Sequence, residues 1–184
     1  FNRMDLLGFL APRAISGVEN LDGNTYARVL PLPHGPGVVE LSLFDDHVLA
    51  KLELTDLRDT AAAVQRCRRL LDLDADPVAI DAALSADPLL APLVAQRPGT
   101  RLPGQVDGFE VAMRAIVGQQ VSVAGARTIL GRLAQRFGTP IEFDLAAKHG
   151  LTHQFAQASA VAEANEADFA MPRARARTLI TVSE

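Results

Sequence analysis

The residues whose types and spacing could do chemistry centre on Gly118-Gln119-Gln120, a polar break between two amphipathic patterns. Upstream, Phe109, Met113, Ile116 and Val117 share one face of a 3.6-residue period. Asp107 stands as the cap of that helix, with Glu110 in the capping-box position. Downstream, Val123, Ala126, Leu130, Leu133 and Phe137 follow a three-four spacing, with Ser122 as the cap and Gly138 as the stop. Two side-chain amides and the free N–H groups of a helix start thus meet at one elbow. Such a geometry suits a phosphate oxygen or a base edge.

Other reactive residue types lead nowhere. Asp45-Asp46 has the composition of an acid/base pair, but between two strand patterns adjacent aspartates read as turn formers. His149 and His153 have the spacing of helical zinc ligands; Gly150 interrupts them and no third ligand is evident, so they read as exposed loop histidines. Cys67 falls on an apolar stripe and reads as a small buried hydrophobe. With Lys51 and Lys148 as its only lysines, the chain has no Walker A loop. Gly35-Pro36-Gly37 lacks the third glycine of a dinucleotide loop, and G-x-S-x-G is absent.

The elements that must position the elbow follow from periodicity. Met4 to Ala14 reads as a helix with Leu6, Leu7, Leu10 and Ala14 on its apolar face; Phe9 points partly away, open to being core or contact. From Val18 to Leu54 the period is two, with Tyr26–Leu32, Val39–Leu43 and Val48–Leu54 as strands of an antiparallel meander with one polar face. Helix returns over 56–71, with Leu57, Val64, Cys67 and Leu71 on one stripe. Asp76-Pro77 and Asp87-Pro88 each start a short helix. The polar stretch Gln96–Gly104 is a boundary or surface connection. Beyond Gly138 a looser loop precedes helical patterns at 155–164 and from Pro172 onward.

Composition bounds the class. A chain of 184 residues, 48% hydrophobic, can bury one large core or two small ones, and two are expected. No apolar run is long enough for a membrane span and no basic-then-apolar leader opens the chain, which reads as cytoplasmic. One cysteine excludes an internal disulfide and fits a reducing compartment. The net charge of −4 argues against holding nucleic acid by bulk electrostatics. Yet residues 1–100 carry 9 Lys and Arg against 14 Asp and Glu, and residues 101–184 carry 9 against 8, so the second half can present a basic face. Sixteen of the eighteen basic residues are arginine, a bias that suits phosphate forks and that a GC-rich genome also produces.

The run Ala115-Ile116-Val117-Gly118-Gln119-Gln120-Val121-Ser122-Val123-Ala124 resembles the opening signature of the helix-hairpin-helix base-excision glycosylases. Arg101-Leu102-Pro103-Gly104-Gln105-Val106-Asp107-Gly108-Phe109-Glu110 narrows the resemblance to the AlkA-type DNA-3-methyladenine glycosylase II. Leu7-Gly8-Phe9-Leu10-Ala11-Pro12-Arg13-Ala14, Gly17-Val18-Glu19 and Tyr26-Ala27-Arg28 are similar to that family's N-terminal domain. Met171-Pro172-Arg173-Ala174-Arg175-Ala176 is similar to the segment leading into its hairpin.

The resemblance implies an α+β fold: a small antiparallel sheet with helices over 1–100, then the first part of an all-helical glycosylase domain over 101–184. It implies hydrolysis of the bond between an alkylated base and deoxyribose, on a nucleotide flipped out of duplex DNA. Aromatic faces would bind the electron-poor base, and a carboxylate would stabilise the oxocarbenium-like sugar, with no metal or organic cofactor. By position, Phe9 would be a wall of the base pocket. Gln119 and Gln120 would enter the minor groove and fill the gap left by the flipped nucleotide, with Val121 and Ser122 beside them at the DNA. Some members carry a leucine wedge where this chain has Gln120; an amide inserts less strongly and can hydrogen-bond the orphaned base. For Ser122, capping alone is the favoured role.

The family's helix-hairpin-helix turn and catalytic aspartate follow the Met-Pro segment, so the expectation is that no catalytic group lies within these residues. Double-stranded DNA with alkylated bases is the implied partner, bound by a monomer without any membrane, in the cytoplasm at the nucleoid. The competing reading is a non-catalytic DNA-binding or interaction module. It could be part of an adaptive-response regulator fused to an upstream methyltransferase, which a chain beginning at Phe1 permits.

Overall fold

The computed structural model describes residues 1–184. Helix α1 (Arg3–Leu10) starts where the Asn2 side chain accepts the Asp5 N–H, and it tightens into a 3₁₀ turn over Ala11–Arg13. Pro12 lacks the N–H that would continue the helix, so the element ends sooner than its apolar pattern. Four strands follow as a meander, β1 (Glu19–Asp22), β2 (Thr25–Leu30), β3 (Gly37–Leu43) and β4 (Val48–Leu54), all antiparallel in the order β1-β2-β3-β4. Arg28 stands opposite Val39 and Tyr26 opposite Leu41, so these four share one face. On that face Leu6, Leu7 and Leu10 of α1 and Ala63, Cys67 and Leu70 of α2 (Thr60–Leu70) close the first core.

The opposite face is not the polar one expected. Ala27, Val29 and Val38 are buried there under Leu145, Ala146 and Leu151. The cover is α7 (Asp144–His149), in a region that reads as loop because six residues are too few to show a helical period. Its amphipathic face and the charges at its two ends dock it. The Glu53 carboxylate accepts the Leu145 N–H (2.7 Å) at its start, and Glu40 pairs with Lys148 and His149 at its end (both 2.5 Å). Both placements suit the helix dipole. His149 is therefore a largely buried hydrogen-bond partner of Glu40, not an exposed loop residue, while His153 lies in a two-residue strand, β6 (His153–Gln154), paired with β5 (Thr139–Pro140).

Three further expectations shift. Of the stripe expected over 56–71, Leu57 is 81% exposed in a 3₁₀ turn (Leu57–Asp59) ahead of α2, and Val64 is 42% exposed because α2 turns Ala63, Cys67 and Leu70 toward the sheet. Helix α3 (Pro77–Ser85) starts at Asp76-Pro77 as its sequence predicts, but α4 begins only at Ala91 (Ala91–Gln96), after a turn held by Asp87 accepting the Leu89 N–H. Phe155 and Ala156 are buried in irregular chain, leaving α8 with only Ala158–Ala162.

The second core is helical. Met113 and Val117 of α5 (Gly108–Val117), Leu130 and Leu133 of α6 (Val123–Phe137), Val161 of α8 and Leu179 of α9 (Arg173–Ser183) are buried together. Ile15 and Val18, from the segment between α1 and the sheet, complete it. Gly104, leading into α5, passes so close to α2 that a Cβ would lie 2.3 Å from the Arg69 carbonyl oxygen; only glycine fits. No helix is long and apolar enough to cross a membrane.

Candidate nucleic-acid interface

The face between the two cores is built on a buried charge network. Arg28 is fully buried and its guanidinium meets Glu19 (3.2 Å) and Glu110 (2.7 Å). Arg114, one turn after Glu110, bonds both carboxylates at 2.6 Å and donates to the Arg13 carbonyl at 3.1 Å. Glu19 also accepts the Tyr26 hydroxyl (2.5 Å) and the Ile15 N–H (2.7 Å). Burial pushes the Glu19 carboxyl up, but the pull of Arg114 and Arg28 with the Tyr26 hydrogen bond overcomes it, leaving the carboxyl below its ordinary range. Burial and the Glu19 charge hold the Tyr26 hydroxyl neutral, its pKa well above the usual value.

Glu110 corrects a sequence expectation. The Asp107 side chain caps α5 by accepting the Glu110 N–H at 2.9 Å, but the Glu110 carboxylate does not return to form a capping box. A buried arginine needs a counterion more than an exposed helix start needs a second cap. The network thereby ties the sheet, the 3₁₀ turn after α1, and α5 into one support.

Above that support lies a cavity of about 350 Å³. Phe9, half-buried, forms part of its wall with Arg13; Glu19 and Arg114 form its charged side; Gly118 and Val121 come from the turn between α5 and α6, and Arg127 from α6. Of the residues the sequence singles out, the cavity brings Phe9 and Val121 together. Gln119 and Gln120 lie between two lining residues, Gly118 and Val121, and are both exposed. Ser122 is exposed and caps α6, its hydroxyl accepting the Gly125 N–H at 3.1 Å.

The turn is held out, not merely left out. Gln120 sits at φ +58°, the left-handed region that a side chain pays to occupy. The Gln119 backbone is anchored on both sides, its carbonyl accepting from Arg175 of α9 at 2.9 Å and its N–H donating to the Ile116 carbonyl at 3.3 Å, while neither glutamine side-chain amide is hydrogen-bonded within the chain. Arg127 is exposed and has no carboxylate partner. Polar amides presented on a fixed backbone beside an unpaired arginine can take phosphate or base-edge hydrogen bonds.

Sequence reasoning missed Arg13, Glu19, Arg114, Arg127 and Arg175 at this site. The i, i+4 spacings of Glu110 with Arg114 and of Phe9 with Arg13 were the local signals; Arg28 with Glu110, Arg114 with Glu19 and Arg175 with Gln119 join across 82, 95 and 56 residues. No group of three or more His, Cys, Asp or Glu side chains is placed to hold a metal.

Residues 1–107 match the family described as the AlkA N-terminal domain. The chain belongs to the AlkA family. Over 95% of its length it is 46% identical to the probable bifunctional transcriptional activator/DNA repair enzyme AlkA of Mycobacterium tuberculosis, and spans 34% of that protein. It is 38% identical over 141 residues to DNA-3-methyladenine glycosylase 2 of Escherichia coli, spanning 47% of it. The chain thus covers between a third and a half of these AlkA relatives. In fold, all of this chain superposes on 63% of the 3-methyladenine DNA-glycosylase from Archaeoglobus fulgidus, with a TM-score of 0.84 at 17% identity. A Clostridium acetobutylicum 8-oxoguanine glycosylase/lyase, solved in complex with double-stranded DNA, shares the fold over 90% of this chain and 53% of its own (TM-score 0.66, 19% identity). The α+β class and the DNA-glycosylase family relationship expected of the AlkA resemblance are therefore established.

Proposed function

We propose that these residues form the lesion-binding front of a base-excision enzyme that hydrolyses the glycosidic bond of alkylated bases such as 3-methyladenine in duplex DNA. Phe9 is the pocket wall, Gln119 and Gln120 enter the gap left by the flipped nucleotide, and Val121 and Ser122 carry the turn. Ser122 works as a helix cap. Residues 1–100 serve as the α+β part and 101–184 as the first part of the glycosylase domain. No catalytic carboxylate is assigned here: Glu19 and Glu110 are consumed by arginines. The chain acts as a monomer in the cytoplasm at the nucleoid, without cofactor.

The observation that carries this reading is the convergence of Phe9 with Gly118 and Val121 on one cavity, from positions more than a hundred residues apart. The test is binding of a duplex containing an abasic-site analogue, followed by fluorescence anisotropy. The 184-residue chain is expected to prefer it to undamaged duplex and to release no methylated base catalytically. Robust multiple turnover, or equal affinity for both duplexes, overturns the proposal.

A second reading, a module of a larger adaptive-response regulator with an upstream methyltransferase, gains support from the bifunctional name of the mycobacterial relative. The intact mass of the natural polypeptide distinguishes the two.

A further inference from the structure

The strained backbone at Gln120 is held from one side only. A peptide unit is planar, so the Gln119 carbonyl and the Gln120 N–H turn together when the unit between them rotates. The carbonyl accepts from the Arg175 guanidinium at 2.9 Å, while the Gln120 N–H makes no hydrogen bond within the chain. The bonds from the Gly118 and Gln119 N–H groups, to the Arg114 and Ile116 carbonyls, stop short of that unit. Half a turn of the unit would carry Gln120 from φ +58° to the negative φ that a glutamine prefers, with the chain on either side kept in place. It would also strip Arg175 of its partner. The bond to Gln119 is the only hydrogen bond that the Arg175 side chain makes, and no carboxylate pairs with it. Arg175 is half-buried on α9, whose Ala176 and Leu179 are buried in the helical core with Met113 and Val117 of α5. The guanidinium thus reaches the turn from a fixed helix.

We propose that Arg175 is a positioning residue for the Gln119-Gln120 turn: its bond to the Gln119 carbonyl selects the left-handed form of Gln120 and so fixes the direction in which that side chain is offered to DNA. This rests on the reading of the two glutamines as the groups that enter the gap left by a flipped nucleotide. Because the conformation is set before DNA arrives, ordering the turn adds no cost on binding. The gain applies only where there is a gap to fill. Removing the bond therefore lowers affinity for a duplex with a gap more than affinity for an intact one. An arginine that merely met phosphates would act on both duplexes alike.

The test compares the 184-residue chain with Arg175→Ala and Arg175→Lys, and Gln120→Asn with Gln120→Asn/Arg175→Ala. Each is followed by NMR without DNA, then by anisotropy with undamaged and abasic-analogue duplexes. In the wild-type chain Gln120 is expected to give the strong intraresidue N–H to Hα NOE of a positive φ. Arg175→Ala is expected to weaken it while the signals of Met113 and Leu133 stay in place; Arg175→Lys, which keeps a donor, is expected to retain most of it. The ratio of undamaged to abasic-duplex Kd is expected to fall by about two- to tenfold in Arg175→Ala, the range that one net hydrogen bond spans. Asparagine tolerates the left-handed region, so the same loss is expected to be smaller in the Gln120→Asn background. An Arg175→Ala chain that keeps the NOE, or one that keeps the ratio, overturns the proposal and leaves the reading of the glutamines intact, as does an equal loss of affinity for the two duplexes. A wild-type chain that binds both duplexes equally overturns that reading, and the positioning role with it.

Discussion

The support beneath the cavity and the turn at its edge are both polar, and they use polarity in opposite ways. In the support, Glu19, Arg28 and Glu110 are buried and Arg114 nearly so, with every carboxylate oxygen bonded. In the turn, Gln119 and Gln120 are exposed, their amides have no partner in the chain, and one of them adopts a strained backbone. Buried charge must be satisfied internally, so it fixes one geometry. Exposed amides on a fixed backbone keep their hydrogen bonds available for something outside the chain. The two regions meet in α5, which carries Glu110 and Arg114 along its length and ends at the turn.

Substitutions can break this contrast. The largest effect is expected from Glu110→Ala, which leaves Arg28 and Arg114 short of a counterion and should cost about 3–5 kcal/mol of stability in urea unfolding. Next, pH should act on the support and leave the turn, whose glutamine amides do not titrate, unchanged. Because Glu19 titrates below its ordinary value when folded, its contribution is complete above the unfolded pKa and is lost as pH falls through the folded one. Stability measured across the acid range should therefore fall more in the wild-type chain than in Glu19→Gln, whose neutral amide cannot titrate. Ser122→Ala should cost about 1 kcal/mol, the value of a helix cap, without altering the fold. Smallest of all, Gln120→Gly should stabilise the chain by up to about 1 kcal/mol by relieving the left-handed backbone, while weakening binding to the abasic-site duplex. Stabilisation with undiminished DNA affinity would remove the functional reason for the strain.

Much of this contrast was legible in one half and hidden in the other. The elbow, its caps at Asp107 and Ser122, and the apolar faces on either side follow from spacing within about fifteen residues, and the structure keeps them except at Val123, which is exposed at the start of α6. The support shows at that range only as separate pairs, Glu19 with Arg28 and Glu110 with Arg114; the bonds that join the pairs span 82 and 95 residues. Arg28 is buried only because α1, α2 and α5 cover its face of the sheet. Glu110 reads as a capping-box residue because only tertiary packing supplies the competing arginine. The polar sheet face failed for the same reason: α7 is short, its docking depends on Glu40 and Glu53, and these are about a hundred residues away. Phe9 was open to two roles by periodicity, and its half-buried place on a cavity wall is compatible with both packing and contact.

The central claim is that the Gln119-Gln120 turn enters DNA beside a flipped nucleotide. It is tested most directly by disulfide capture, since Cys67 is buried, its thiol pushed up to about 11, and will not compete. Gln120→Cys and, as a control, Val78→Cys on the exposed face of α3 are each mixed with a duplex carrying a thiol-tethered base opposite an abasic-site analogue. The account predicts rapid cross-linking at position 120 and little at 78. Equal capture at the two positions, or none at 120 while 78 reacts, would contradict it.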